Sequence, residues 1–351
     1  MNHQPTATYF FLGANSRHGF YSLYDEFANG ERDILHIIKS GPGTGKSTFM
    51  KQIGKAAEAK GLDVEYILCS GDPESLDGIY IPALHIGWAD GTAPHILEPK
   101  HFGVDGTYTD LGQFCRQEYL NDNSSQIKTV TSAYRLCYQK AYIYLQAAGN
   151  LQYNPTPLPV HIEERIRSRA KAKIKKELSD AESSTSLPMK RFLRAISCQG
   201  DYRPAHTLNT LCDRLCILES NIGLDSIFFD EILKSAEERK ILYIRCLSPL
   251  SPEHTETVIF PDIRLCFASS QAVLSFHGSQ RTIHLDSYLD DMNKNEYKQR
   301  EKLNQQLMNA AYKQLSRAKQ FHDELERYYR PALNVDALND YTQSVIHKLF
   351  P

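Results

Sequence analysis

The sequence predicts an α/β protein built twice over: a parallel sheet with helical insertions in the first half, followed by a degenerate tandem copy of the same plan. Three observations carry this. Short apolar runs alternate with helical periodicity through the first hundred residues, and a glycine-rich loop joins one of those runs to a helix. Residues of the first half then recur in order after residue 190 at a nearly constant offset.

The elements follow in order. Residues 34–40, Ile-Leu-His-Ile-Ile-Lys-Ser, read as a buried strand running into the loop. From Lys46 to Lys60 the apolar positions Phe49, Met50, Ile53, Ala56 and Ala57 fall at helical spacing, and Gly61 supplies the stop. A second strand, Val64 to Cys69, ends at the turn-rich run Ser70 to Gly78. A third apolar run, Ala83 to Ala89, ends at Asp90-Gly91-Thr92. Three strands with crossovers imply a parallel sheet carrying its ligand at the strand carboxyl ends. Beyond residue 112, Tyr134, Cys137, Tyr138, Ala141, Tyr142 and Leu145 recur at helical intervals. Asn150 to Pro159 breaks that helix, and Glu163 to Asp180 forms a second one whose mixed charge marks a solvated hairpin face. The Ser-rich stretch Ala181 to Leu187 is the best linker. The expected domains are therefore 1–182, with a helical hairpin insertion at about 113–182, and a degenerate repeat with C-terminal helices at 189–351.

The repeat is worn but ordered. Phe11-Leu12, Ser16 and Gly19 recur as Phe192-Leu193, Ser197 and Gly200, and Asp33 and Leu35 as Asp213 and Leu215. Ser47, Phe49 and Ile53 recur as Ser226, Phe228 and Ile232. Tyr66-Ile67 and Cys69 recur as Tyr243-Ile244 and Cys246, Pro82 and Ala89 as Pro261 and Ala268, and Ala133-Tyr134 as Ala311-Tyr312. The offsets stay between 177 and 181, close to half of the 351 residues.

Composition narrows the function classes. A chain with 41% hydrophobic and 23% charged residues is globular. A formal charge of -2 leaves no electrostatic footprint for nucleic acid or an anionic membrane. No stretch approaches a membrane span and the start MNHQPTATYFFLG lacks a signal-peptide pattern, so a cytoplasmic location is expected. The eight cysteines sit in apolar surroundings without paired metal spacing and read as reduced core residues.

The chemistry concentrates in Ser40-Gly41-Pro42-Gly43-Thr44-Gly45-Lys46-Ser47-Thr48. Successive amides of such a turn can cradle a β-phosphate at the positive end of the following helix. Gly41, Gly43 and Gly45 keep side chains away from the phosphate, Lys46 can bridge β- and γ-phosphates, and the Ser47 hydroxyl can ligate Mg²⁺. This is a P-loop (Walker A) pattern, with Ser40 where the strict form has its first glycine. Asp90, at a strand end, is the candidate second Mg²⁺ ligand, although Asp-Gly is also ordinary turn chemistry. An offset of 179 sets Asp225 opposite Lys46 and Ser269 opposite Asp90, with Ser220 and Ile222 replacing Gly41 and Gly43, so the copy has lost lysine and carboxylate together. Asp72 and Asp77, at the mouth of the second strand, are candidates for a base or acceptor-binding carboxylate. Asp72 before Pro73 equally suits a helix cap. Thr92, His95 and Arg17-His18-Gly19 are weaker candidates.

Phe11 to Phe20, Ser40 to Thr48, Cys69 to Gly78 and Asp90 to Pro99 together resemble a poorly characterised family of bacterial two-repeat P-loop proteins, usually labelled ATPase or nucleotide-binding. The resemblance implies a P-loop fold and a nucleotide ligand, and names no substrate. Members often carry a second glycine-lysine loop in the C-terminal half; this chain departs there, at Glu219 to Ile227.

The expected function is Mg-dependent binding and hydrolysis of ATP or GTP at the N-terminal loop, with Lys46, Asp90 and Asp77 as catalytic candidates, Ser47 and Asp90 as metal ligands, and the second half a pseudo-domain. A small-molecule kinase with a second substrate and a nucleotide-gated interaction module are the rivals. A ring motor ranks last, for want of a basic channel.

Overall fold

The computed structural model describes residues 5–93, 96–152, 159–220, 223–288 and 294–351. Its architecture is α/β, with two six-stranded sheets and eight α-helices among these residues.

The first sheet is formed by β1 (Ala7–Phe10), β4 (Ile34–Lys39), β5 (Val64–Leu68), β6 (Leu76–Ile81), β7 (Ile86–Asp90) and β8 (Gly106–Asp110), in the order β1-β5-β6-β7-β4-β8. The hairpin β2 (Gly13–Ser16) and β3 (Gly19–Ser22) stands apart from it. The second sheet is formed by β9 (Met189–Arg191), β12 (Arg214–Glu219), β13 (Ile244–Leu247), β14 (Thr255–Phe260), β15 (Leu265–Ser269) and β16 (Ser279–His284), with a hairpin β10 (Ala195–Ser197) and β11 (Gly200–Tyr202). Its order, read from the β9 edge, is β9-β13-β14-β15-β12-β16, the same plan strand for strand.

The expectation of a purely parallel sheet needs correcting. β6 lies antiparallel between β5 and β7, and β14 does the same in the copy. The run Ser70 to Gly78 is therefore only partly a turn: its last three residues open a strand. β6 was obscured because Asp77 and Gly78 read as turn chemistry, whereas all but Tyr80 of its residues are buried.

Ladder register also corrects two of the repeat pairings. Tyr66 faces Ile79 and Arg245 faces Val258, so β5 and β13 correspond at an offset of 179. Cys69 accordingly matches Ser248, as the bonds Cys69 N–H to Ser75 O and Ser248 N–H to His254 O confirm. The shared letters at an offset of 177 are coincidence. The pairings on the sheets, on the hairpins and on the helix after the glycine loop hold, down to left-handed residues at His85 and Arg264 after matching 3-10 turns. Ala311-Tyr312, however, matches Ala141-Tyr142 and not Ala133-Tyr134: Ala141, Leu145 and Ala148 are buried at the same spacing as Ala311, Leu315 and Ala318, whereas Ala133 is half-buried.

The helices are α1 (Lys46–Ala59), α2 (Gln117–Asp122), α3 (Ser124–Gln152) and α4 (Val160–Glu177) in the first half, and α5 (His206–Leu211), α6 (Asp225–Glu238), α7 (Lys294–Tyr329) and α8 (Val335–Leu349) in the second. α1 begins and ends where the sequence placed it, with Phe49, Met50, Ile53 and Ala57 buried and Gly61 at φ 78° past its end.

Packing crosses the sequence boundary. α4 inserts Ile162, Ile166, Ala170 and Ile174 into the second half's core, against Phe228, Phe229 and Ile232 of α6. α8 returns to the first half, where Tyr341 stacks on Phe49 at 6.1 Å and Leu338 joins the core. α3 and α7 run antiparallel, with Ala141, Leu145, Ala148, Ala311 and Leu315 in one apolar cluster. Each sheet is thus covered by a helix of its own half, α1 or α6, and that helix is backed by one from the other half, α8 or α4. The basic face of α4 is solvated as expected, but its apolar stripe belongs to the second core.

The halves also meet about a local two-fold. Phe11 N–H donates to Phe192 O and Phe192 N–H to Phe11 O, both at 2.9 Å; Arg17 N–H to Leu250 O is mirrored by Cys198 N–H to Gly71 O. Arg191, 3% exposed, is held by Glu65 through Nε–Oε1 and Nη2–Oε2 bonds of 2.6 and 3.1 Å.

Ile166 sits fully buried between α4 and α6. Ile166→Ala should cost about 2–4 kcal/mol, although it lies in the first half's sequence and the core it supports lies in the second. Hydrogen exchange at the α6 amides, compared with those of α1, checks this: α6 should lose protection first, and equal loss in both helices would contradict the exchanged packing.

Candidate functional site

β4 delivers the loop 40–45 to the start of α1. Two of its glycines have backbones that other residues adopt at a cost: Gly43 at φ 68° and Gly45 at φ 86°. Thr44, 1% exposed, locks the turn by donating to Gly41 O at 2.7 Å and bonding the Ser40 hydroxyl at 2.6 Å. Ser40 thus takes part in holding the loop, although the strict pattern has glycine there. Pro42 is half-buried in the turn, and Thr48 is exposed on α1.

Lys46 Nζ donates to Gly41 O at 2.7 Å and Ser40 O at 3.3 Å, and lies 3.5 Å from Asp90 Oδ2. Both side chains are only 12% exposed. Asp90 closes β7, where the sequence placed it, and its Oδ1 accepts from Thr92 N–H at 2.9 Å and Thr92 Oγ1 at 2.6 Å. Thr92 therefore orients the carboxylate. Ser47 Oγ accepts from Leu76 N–H at 2.9 Å. Because Gly78 faces Ala89 on the β6–β7 ladder, Asp77 and Asp90 form the next opposed pair. Asp77 is buried and accepts from Tyr24 OH at 3.1 Å; burial, with Asp77 beside it, holds the Tyr24 hydroxyl well above its usual range. The structure thus brings Lys46, Ser47, Asp90 and Asp77 together.

Other candidates go elsewhere. Residues 72–75 form a turn and no helix, so Asp72 is not a helix cap; its Oδ2 lies 3.5 Å from Lys319 on α7. Arg17 and His18, at the β2–β3 tip, pair with Glu253 of the second half and not with the loop. His95 and Ile222 lie outside the described residues.

Sequence reasoning missed the cover of this loop. The Tyr329 ring lies directly on Gly41, Glu326 sits on Gly43 with its Cα 3.2 Å from where a Cβ would stand, and Leu338 of α8 reaches 2.6 Å from the same position at Gly45. These three lie nearly 300 residues from the loop, and only the length of the C-terminal helical stretch hinted that it returns.

The matching position in the second half is chemically different. β12 and β4 correspond at an offset of 180 and the following helices at 179, so the connecting loop is one residue shorter and Ser220 stands opposite Ser40, not Gly41. α6 opens on Asp225, as the repeat predicts, and its carboxylate accepts from the first amides of the helix. Burial and the neighbouring Glu256 push the Asp225 carboxyl up to about 7.

All eight cysteines are free thiols. Among the described residues no helix is long and apolar enough to cross a membrane, and no three His, Cys, Asp or Glu side chains cluster as a metal site. No family model matches the chain, and neither a curated protein nor a solved structure matches it.

Two predictions follow from this geometry. Gly43→Ala should destabilise the protein by about 1–2 kcal/mol without any ligand present, because it forces φ 68° on alanine and drives a methyl into Glu326; an unchanged melting curve would contradict the packed cover. For Asp225 the folded carboxyl titrates higher than the unfolded one. The native state is therefore penalised as pH rises from about 4 through about 7. Asp286 and Glu256 face this group and add to the penalty, while Arg194 is engaged by Glu256. Asp225→Asn should thus melt higher than wild type at pH 8, by up to about 4 kcal/mol of stability, with the difference shrinking toward pH 5.

Proposed function

We propose that the chain is a P-loop nucleotide-binding protein that takes Mg-ATP or Mg-GTP at the loop Gly41 to Thr48 and hydrolyses it, with the second half not binding a triphosphate. The observation that carries this reading is the contrast between two matched helix starts. α1 begins on Lys46 with no acidic residue in its first turn and no capping side chain, leaving its positive end for an anion, whereas α6 begins on Asp225.

The residues fit such a ligand. Lys46 is held only by loop carbonyls and a 3.5 Å carboxylate, which a phosphate oxygen can replace at no loss of charge pairing. Mg²⁺ needs only one or two protein oxygens when it shares the phosphates, and Ser47 with Asp90 would supply them. The ion would neutralise charge developing on the phosphates. Thr92 keeps Asp90 in one orientation, and Asp77 with Tyr24 forms a polar wall beside it.

The cover supports gating as a second reading. With Tyr329 and Glu326 seated on the loop glycines, a phosphate that reshapes the loop must move the end of α7. The kinase alternative has no such support, because Asp77 is buried against Tyr24 and Asp72 is engaged by Lys319.

Lys46→Ala should weaken nucleotide binding by about 2–3 kcal/mol, a change of about 30- to 150-fold in calorimetric affinity; unchanged affinity in a folded variant would refute the site. Asp90→Asn should lower steady-state phosphate release at least about tenfold, with a smaller effect on binding and a higher Mg²⁺ requirement. Wild-type turnover in that variant would return Asp90 to a structural role.

A further inference from the structure

The carboxyl ends of β12 and β15 and the start of β14 open into a cavity of about 570 Å³, within the range of small-molecule sites. It occupies the place where a duplicated phosphate site would be, and its chemistry is inverted. The cavity's guanidinium groups are already engaged. Arg194 Nε donates to Glu256 Oε2 at 2.8 Å and its Nη1 to Asp201 Oδ1 at 2.9 Å. Arg203 Nε donates to Gln271 O at 2.6 Å, and Arg300 Nη2 to Leu151 O at 2.5 Å. Asp225, by contrast, makes no ion pair with any described residue, and its carboxylate already takes the helix amides that an incoming phosphate would need.

A second feature borders the same space. Ser269, 5% exposed, lines the cavity, and its hydroxyl has no hydrogen-bond partner among the described residues. It follows Ala268, which faces Thr257 on the ladder, so it lies opposite Glu256. A buried hydroxyl left alone costs about 1–3 kcal/mol, which a ligand's polar group would recover. Apolar walls from Leu224, Leu250, Met308 and Tyr312 complete the enclosure.

We propose that this cavity is a second ligand site, independent of the nucleotide site, that takes a small organic cation of amine or guanidine type, its charged group set between Asp225 and the Ser269 hydroxyl and its carbon body against Met308 and Tyr312. Anions are refused by the Asp225 and Glu256 carboxylates. The cation binds the ionised form of Asp225, so affinity rises with pH through about 7, and below that range binding releases a proton.

The test uses the full chain and four defined probes, agmatine, putrescine, spermidine and L-arginine, titrated calorimetrically with inorganic phosphate and ATP as anionic controls. Binding is followed in parallel by the methyl resonance of Met308, assigned through Met308→Leu. At least one cationic probe should bind one to one and shift that resonance. Asp225→Asn should weaken it at least about tenfold, whereas Lys46→Ala should leave it unchanged. Ser269→Leu, which fills the cavity without touching Asp225, should also abolish binding and covers the case of a misfolded Asp225 variant. The proposal is overturned if no cationic probe binds up to about 10 mM, a concentration corresponding to under about 3 kcal/mol. Equal binding to Asp225→Asn overturns it too, as does a Met308 shift by phosphate or ATP in the Lys46→Ala protein. Loss of nucleotide binding in Lys46→Ala with cation binding intact would separate this site from the first.

Discussion

Each half lends a helix to the other: α4 packs on α6, which covers the second sheet, and α8 packs on α1, which covers the first. Ile162, Ile166 and Ile174 of α4, each bringing about 1.5–3 kcal/mol on burial, fill the second core, and α8 closes the first with Leu338 and Tyr341. The paired backbone bonds between Phe11 and Phe192 fix the two halves at one relative orientation, and the buried Arg191–Glu65 pair adds a charge contact that tolerates little displacement. The positions of both sites follow, since α7 must pass the second cavity at Arg300 and Met308 before its end reaches Gly41 and Gly43.

The two helix starts show how few residues separate a basic loop from an acidic one. Both lie at the carboxyl ends of matching strands and open a 14-residue helix. In one, three glycines and Lys46 leave the amides and a positive charge facing inward. In the other, a loop shorter by one residue and a carboxylate at the first helical position place negative charge there. The ladder pair Asp77–Asp90 becomes Glu256–Ser269, and Arg194, standing where the first half has Gly13, comes in to neutralise Glu256.

Much of this was legible in the sequence. The glycine loop, α1 with its Gly61 stop and the strand ending at Asp90 follow from local spacing, and the duplication from residues that recur in order at a nearly constant offset. β6 was hidden, since Asp77 and Gly78 have turn-like chemistry and only burial between two neighbours makes them a strand. The pairing of Cys69 with Cys246 failed for another reason: identity of letters says nothing about ladder register. The cover of Tyr329, Glu326 and Leu338 could not be read, because the exchange of helices depends on which apolar face each stripe meets. The amphipathic pattern of α4 was visible, but not the core it enters.

The helix exchange has a consequence for how the molecule can change. Two separate copies of one half, associated about the same axis, would carry every substitution twice, once at each site. Joined through residues 181–188, the copies share a scaffold but not a genotype: Lys46 and Asp225 occupy the same place in the plan and need not change together. A substitution that ruined one pocket would leave the other, and the rod of α7 that passes both, intact. One covalent connection thus turns a symmetric pair into a molecule with two different faces.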